Sequence, residues 1–423
     1  MIYAKRPQLS LRAALLACAL SLGFVATPFV AGDAFAQGKE KGEKAAKGPS
    51  VSPKLGKILK AAQDAMNTKN WKEAKAKLDE GAAFPDKSPY ENYAINELNG
   101  FVAVNSNDFA GAAKAFEATL SSEFLAPEQK QPRLKAVIQL YYQIKDYKKV
   151  TTYGPQYLKE SAGDFEMHVV AGQAYYLQND FVNAAKYLTN AVEAAEKADK
   201  PVKEDWLQLL QSSYFEANNN AGLVKTLEKT VSLYPKANYW DQLLTILNKE
   251  INDNGKLDLE MYRLRIASGA KLEGDELREM AELTLQAGLP GEAEMVMEKA
   301  TAGGKKSERD TRLITMAKNQ ATSDKASLAQ SETSAKAAPT GEPLVKTGEA
   351  YLTYGNAAKA VELIKAGIAK GPKDADRAKL RLGVALIDAK QGAEARKTFA
   401  TITPASPYAR LGRLWSIVAA KGN

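Results

Sequence analysis

The chain has 423 residues, 45% of them apolar, enough to bury a large core. It carries 58 Lys and Arg against 50 Asp and Glu, a net charge of +8, too mild a surplus for a dedicated polyanion binder. One cysteine and one histidine exclude a disulfide framework, thiolate metal sites and any chemistry built on paired imidazoles.

The first 36 residues have the layout of a secretory signal peptide. Lys5, Arg6 and Arg12 make a basic start, Ala13 to Val25 an apolar run, and Ala34-Phe35-Ala36 a cleavage site ahead of Gln37. The expected outcome is cleavage after Ala36 and a periplasmic mature chain. An uncleaved anchor would need a longer apolar run. A lipoprotein with Cys18 as its lipid-bearing residue would leave few apolar residues after Arg12. Without Cys18 the mature chain has no thiol, and no membrane span is expected in it. Residues 37–52, with Lys39, Lys41, Lys44 and Lys47, read as a flexible tether; the alternative is contact with anionic lipid or peptidoglycan.

From Pro53 the apolar residues recur with helical period, in successive units. Ala62, Trp71, Ala74, Leu78 and Pro85 mark the first, and Gly100, Phe109, Ala112 and Phe116 the second, with Asn105-Ser106-Asn107-Asp108 as its turn. Leu134, Ile138, Tyr141 and Tyr147 mark the third, and Gly172, Tyr175, Phe181, Ala184 and Leu188 the fourth. The fifth runs over Leu207, Tyr214, Leu223 and Leu227. A degenerate sixth spans 239–266, interrupted at Asn252-Asp253-Asn254-Gly255, and the seventh carries Leu277, Ala281, Ala293 and Met297.

Residues 302–342 break the period. Strong helix formers with a weak apolar stripe (Leu313, Met316, Leu328) predict a long bridging helix between an array at 53–301 and another at 343–423; a disordered linker is the alternative. The last array repeats most clearly. Gly348, Tyr351, Ala360, Ile364, Gly367 and Pro372 are followed one period later by Gly383, Leu386, Ala395, Phe399 and Ile402. Nothing alternates with period two, so no sheet is expected.

Small, aromatic and proline residues at these offsets in a repeat of roughly 34 residues resemble the tetratricopeptide repeat (TPR). The resemblance implies an all-α fold, a right-handed α-solenoid of about nine helix pairs with the long helix before the last two. It also implies that the first helix of each unit lines a concave face with its fifth, ninth and twelfth positions. In this chain those positions give Lys135, Gln139 and Tyr142 in one unit, Gln173 and Tyr176 in the next, and Ser212 and Phe215 in the third. Aromatic rings bordered by amides suit an extended peptide or a partner helix. The alternative is that the rings pack between adjacent first helices.

The sequence offers little for catalysis, and neither a metal nor a cofactor is expected. His168, the single histidine, falls at a position that large residues fill in such repeats and reads as packing. No phosphate-loop, dinucleotide or nucleophile-elbow spacing is present. Glu292/Glu294 and Asp374/Asp376 lie at helix starts, where acidic residues complement the helix dipole. Lysines mixed with glutamates at helical spacing argue against nucleic acid.

Four runs extend the resemblance to exported bacterial TPR proteins described as TonB-system components: Ser88-Pro89-Tyr90-Glu91, Tyr262-Arg263-Leu264-Arg265, Ala287-Gly288-Leu289-Pro290 and Gly348-Glu349-Ala350-Tyr351. This implies a periplasmic scaffold with a protein or peptide partner in the cell envelope, and carries over no functional residue. The competing expectations are an envelope enzyme or enzyme subunit acting on peptidoglycan, which needs a pocket closing on buried carboxylates, and a cell-wall adhesion module using the tether.

Overall fold

The computed structural model describes residues 50–250, 257–302, 304 and 306–421. The expected signal peptide, Cys18, nearly all of the tether and the turn at Asn252-Asp253-Asn254-Gly255 lie outside them. Among the described residues there are 20 helices and no strand.

Sixteen of these helices form eight hairpins. They are α1 (Pro53–Asn67) with α2 (Trp71–Ala82), α3 (Pro89–Asn105) with α4 (Phe109–Thr119), α5 (Pro127–Gln143) with α6 (Tyr147–Glu160), α7 (Phe165–Leu177) with α8 (Phe181–Lys197), and α9 (Glu204–Glu216) with α10 (Asn220–Leu233). After the single helices α11 (Ala237–Glu250) and α12 (Asp258–Ser268) come α13 (Gly274–Gln286) with α14 (Pro290–Thr301), then the 30-residue α15 (Glu308–Ala337). The remaining hairpins are α16 (Glu342–Thr353) with α17 (Ala357–Ala369) and α18 (Ala375–Asp388) with α19 (Gly392–Ala400); α20 (Ala409–Lys421) ends the chain.

One turn serves all eight hairpins, and local chemistry explains it. A single residue goes left-handed after the first helix: Lys69, Asn107, Lys145, Asn179, Asn218, Gly288, Gly355 or Lys390. The next amide then bonds back to the carbonyl five residues earlier, as in Asp108 to Ala103, Asp180 to Tyr175 and Gln391 to Leu386, satisfying the orphan carbonyls of the helix end. That next residue is usually Asn or Asp, and its side chain caps the second helix: Asn70 accepts from the Glu73 amide, Asp108 from Gly111, Asp146 from Lys149, Asp180 from Asn183 and Asn356 from Lys359. Each turn thus closes one helix and opens the next.

Packing within the hairpins also repeats. Gly100 lies under Phe116, Gly172 under Leu188, Gly348 under Ile364 and Gly383 under Phe399, always at the same separation in sequence. A Cβ on Gly383 would stand 2.1 Å from the Phe399 ring, so only glycine lets these helices cross so closely.

The chain divides into two compact units within α10, one ending at Leu223 and the other beginning at Val224. In the first, hairpins stack in chain order, with Ala113, Phe116, Ile138, Tyr141, Met167 and Val170 in one continuous core. In the second, Trp240, Leu243, Leu244 and Leu247 of α11 are fully buried. The long helix α15 lies against both α14 and α16. Those two helices, expected to belong to different arrays, also touch: Gly291 of α14 sits against Tyr354, the residue that follows α16, whose hydroxyl donates to Asp324 of α15 at 2.6 Å.

The hydrophobic pattern of α12 is unlike that of its neighbours. Leu259, Glu260, Met261, Tyr262, Arg263, Leu264, Arg265 and Ser268 are all buried, so the helix is covered nearly all round and reaches solvent only near its ends, as at Ala267.

Candidate functional site

The residues proposed to line a concave face lie on α5, α7 and α9, the first helices of three successive hairpins. The structure joins them to one another. The Tyr142 hydroxyl donates to Gln173 Oε1 at 2.8 Å, linking α5 to α7, and the Tyr176 hydroxyl shares a 2.8 Å hydrogen bond with Ser212 Oγ, linking α7 to α9. Gln173 and Ser212 are buried, while Tyr142 and Tyr176 are half-buried. Lys135 Nζ pairs with Asp164 Oδ2 at 2.6 Å; Asp164 also caps α7 through the Met167 amide and accepts from the Tyr157 hydroxyl. Burial would raise the Asp164 carboxyl, but Lys135 and these donors hold it below its usual range.

The hydroxyl ladder stops at Phe215, which has no hydroxyl to continue it and is 41% exposed. Gln139 is half-buried, and its side chain makes no hydrogen bond among the described residues. Of the seven expected positions, then, Gln139 and Phe215 keep their contact groups available. Tyr142 and Tyr176 offer ring edges while their hydroxyls fasten the stack, so part of the row packs between first helices.

A second row escaped the sequence reading. Tyr141, Tyr175 and Tyr214 each precede a member of the first row and reach back to the preceding hairpin: Tyr141 to Glu117, Tyr175 to the Thr151 carbonyl at 3.4 Å, and Tyr214 to Thr189 Oγ1 at 2.9 Å. Tyr175 also stacks on Tyr187 at 5.2 Å between ring centroids. The repeated dipeptides Tyr141-Tyr142, Tyr175-Tyr176 and Tyr214-Phe215 are the visible signal: the first ring fastens backward in all three, and the second fastens forward in the two that carry a hydroxyl there. His168 is buried beside Tyr187, with Nε2 3.0 Å from the Ala162 carbonyl, and burial lowers its pKa. It packs between helices as expected.

The second unit contains buried carboxylates, the feature an enzyme reading would require. Glu260 and Arg263 of α12, Glu292 of α14, Glu349 of α16, and Arg377 and Arg381 of α18 form one network. Arg263 forks Glu292 with Nε and Nη2 at 2.8 and 2.6 Å and reaches Glu260 at 2.7 Å. Arg381 reaches the other oxygen of Glu260 at 3.3 Å, and Arg377 holds Glu349 at 2.9 Å. Three carboxylates meet three guanidinium groups. Burial would push Glu260 and Glu292 up, but Arg263 and Arg381 outweigh it and hold both below the usual carboxylate range. A general acid needs the opposite shift. Glu292 does occupy the first turn of α14, as expected, but its charge is spent on Arg263 rather than left in solvent.

Two shallow surface depressions lie elsewhere, against α15, one lined by Thr311, Thr315 and Met316 and the other by Ser327, Gln330 and Lys346. Among the described residues no group of three or more His, Cys, Asp or Glu is placed to hold a metal, and no helix is long and apolar enough to cross a membrane.

No family model matches the sequence and no curated protein matches it. Solved structures similar to the chain include a tetratricopeptide repeat protein from Parabacteroides merdae ATCC 43184, 13% identical over 63% of this chain and 99% of that one, with a TM-score of 0.30. Another is the TPR2AB domain of yeast Sti1 in its pHSP90 complex, 14% identical over 69% of this chain and 99% of that one, with a TM-score of 0.23. The class is defined by the packing itself: this is an all-α protein of stacked helical hairpins of the α-solenoid type, with TPR-like turns and glycine crossings.

Proposed function

We propose that the protein is a non-catalytic scaffold that holds a peptide segment or partner protein against the α5, α7 and α9 face of its first unit. The observation that carries this reading is the ring-and-amide row from Gln139 to Phe215, in which the Gln139 amide and the exposed Phe215 ring make no side-chain hydrogen bond among the described residues and have none to give up on binding. Rings supply contact area at low entropic cost, and an amide can satisfy a peptide backbone. Cellular context is part of the same proposal: cleavage after Ala36, work in the periplasm, and a partner in the envelope. The resemblance to exported TPR proteins makes a TonB-type system the first place to seek that partner.

The test is site-specific photo-cross-linking in cells. Cross-linkers at Gln139 and Phe215 are expected to trap the same envelope protein, one not trapped from exposed Lys148 on α6, and Gln139→Arg is expected to abolish the Phe215 adduct. Equal adducts from all three positions would refute the groove. N-terminal sequencing of the purified protein checks the export reading; a first residue other than Gln37 would overturn it.

A further inference from the structure

The hairpins of the first unit share a register in which one place is filled differently. In the first four, a side chain at the turn caps the second helix, and the residue after the cap is aromatic: Trp71, Phe109, Tyr147 or Phe181. In the fifth, Asn219 takes the same capping role, accepting from the Gly222 amide at 2.9 Å, and the next residue is Asn220. A ring at this place covers the ring five residues before it. Tyr147 stands edge-on to Tyr142 with centroids 5.9 Å apart, and Phe181 edge-on to Tyr176 at 5.3 Å. Phe215 precedes Asn220 by the same interval, and asparagine supplies no ring. Phe215 is 41% exposed, whereas Tyr142 and Tyr176 are half-buried.

Charge along the same face is one-sided. α7 and α9 carry Glu166, Glu204, Asp205 and Glu216 and no lysine or arginine, in a chain whose net charge is +8. Glu166 shares the helical stripe of Gln173 and Tyr176, and Asp205 that of Ser212 and Phe215. The lysines bordering that end are engaged: Lys135 with Asp164 at 2.6 Å, and Lys203 over the Trp206 ring, 5.4 Å from its centroid. From Asp205 to Phe215 the helix rises about 15 Å, which an extended chain spans in about four or five residues.

We infer that the partner of this face is an extended basic segment that seats an aromatic side chain against Phe215, in the place Tyr147 and Phe181 fill for their own hairpins. It sets a lysine or arginine, about four or five residues from that ring, against Asp205 and Glu166. The inference deepens the groove reading proposed above and rests on it. The ring is the anchor, because it covers apolar surface that the chain itself leaves open; the cation fixes direction and excludes acidic segments.

Panning a displayed library of random dodecapeptides on the purified protein tests this. It is expected to enrich an aromatic residue with a lysine or arginine about four or five positions away. Enriched peptides without an aromatic, peptides with acidic residues in place of basic ones, or no enrichment overturn the inference. Asn220→Phe gives the chain its own ring at the vacant place. It is expected to keep or raise the thermal midpoint and to weaken the enriched peptide at least about ten-fold, as is Phe215→Ala. The double change E166K/D205K is expected to weaken the peptide and remove most of its salt dependence. Gln139→Arg separates the two readings. A peptide lost on Gln139→Arg but indifferent to Asn220→Phe and Phe215→Ala leaves the groove standing and overturns the aromatic seat; one indifferent to every change overturns both. If Asn220→Phe fails to fold, Phe215→Ala decides.

Discussion

Arg381 of α18 and Glu260 of α12 stand 121 positions apart in sequence, yet Nη1 of one lies 3.3 Å from Oε2 of the other, with both side chains at most 3% exposed. Helices stacked only against their chain neighbours would not bring such residues together. The second unit folds back on itself, with α20 returning to pack against α12, and the ion pair sits where the return is made.

Breaking this pair is expected to cost more than its net contribution, because the survivor stays buried with its charge unmatched. Glu260→Gln and Arg381→Gln are each expected to destabilise the second unit by about 3–5 kcal/mol, while the double variant costs much less than the sum. Urea unfolding read from Trp240 or Trp415, each retained as the only tryptophan of a variant, measures this. A loss below about 1 kcal/mol for either single change would show that water already reaches the network.

The hydroxyls of Tyr142 and Tyr176 fasten successive first helices, so removing them acts on stability before binding. Tyr142→Phe leaves buried Gln173 Oε1 without that donor and is expected to cost about 1–2 kcal/mol; Tyr176→Phe has the same effect on Ser212. Exposed Phe215 fastens nothing by a hydroxyl, and Phe215→Ala is expected to cost under about 1 kcal/mol in thermal unfolding. Three equal losses would assign Phe215 to the core.

Much of this architecture is legible in the sequence because it is local. The Asn and Asp that cap second helices, the glycines under large side chains, and the period that spaces them all act within one hairpin. Asn105 to Asp108 could be read as a turn for that reason. The network around Glu260 could not. Its two α12 charges look like a solvated pair at helical spacing, and their partners depend on how far the later hairpins curve back, which no single repeat encodes. The row along α5, α7 and α9 is half legible: the repeat offset places Tyr142 and Tyr176 on successive first helices, but whether a ring faces solvent or its neighbour depends on the residue facing it, here Gln173 and Ser212.

The turns contain a removable strain. Lys69, Lys145 and Lys390 adopt φ of 57°, 62° and 60°, a region that costs a side-chain-bearing residue about 1 kcal/mol and glycine almost nothing. Gly355 fills the equivalent place in the α16 to α17 turn at φ 78°. Each Lys→Gly change is expected to add about 0.5–1 kcal/mol despite the greater freedom of glycine in the unfolded chain. Calorimetry of the triple variant checks this, and an unchanged or lowered melting temperature would show that the lysine stems contribute contacts that outweigh the strain.

Acid should loosen the chain first where α1 meets α3. Glu91 accepts from the Ser52 amide with one oxygen and from the Ser88 amide with the other, both at 2.8 Å, fastening the start of α1 to the capping box of α3. Burial alone would raise its pKa, but the two serines outweigh it and lower the carboxyl from 4.5 to about 2. A folded-state pKa below the unfolded one gives stability that is complete above 4.5 and is lost as pH falls towards 2. Protection of α1 amides, corrected for intrinsic exchange, is therefore expected to fall across that window by an amount on the order of 2 kcal/mol. Glu91→Gln should remove the same protection at neutral pH and make it indifferent to acid. Two other depressed carboxyls share the first unit, Glu117 of α4 and Asp164 at the start of α7, so it is the comparison with Glu91→Gln that isolates the contribution of Glu91. If α1 in the unaltered protein is equally protected at about pH 5 and about pH 2, the carboxylate is not what fastens it.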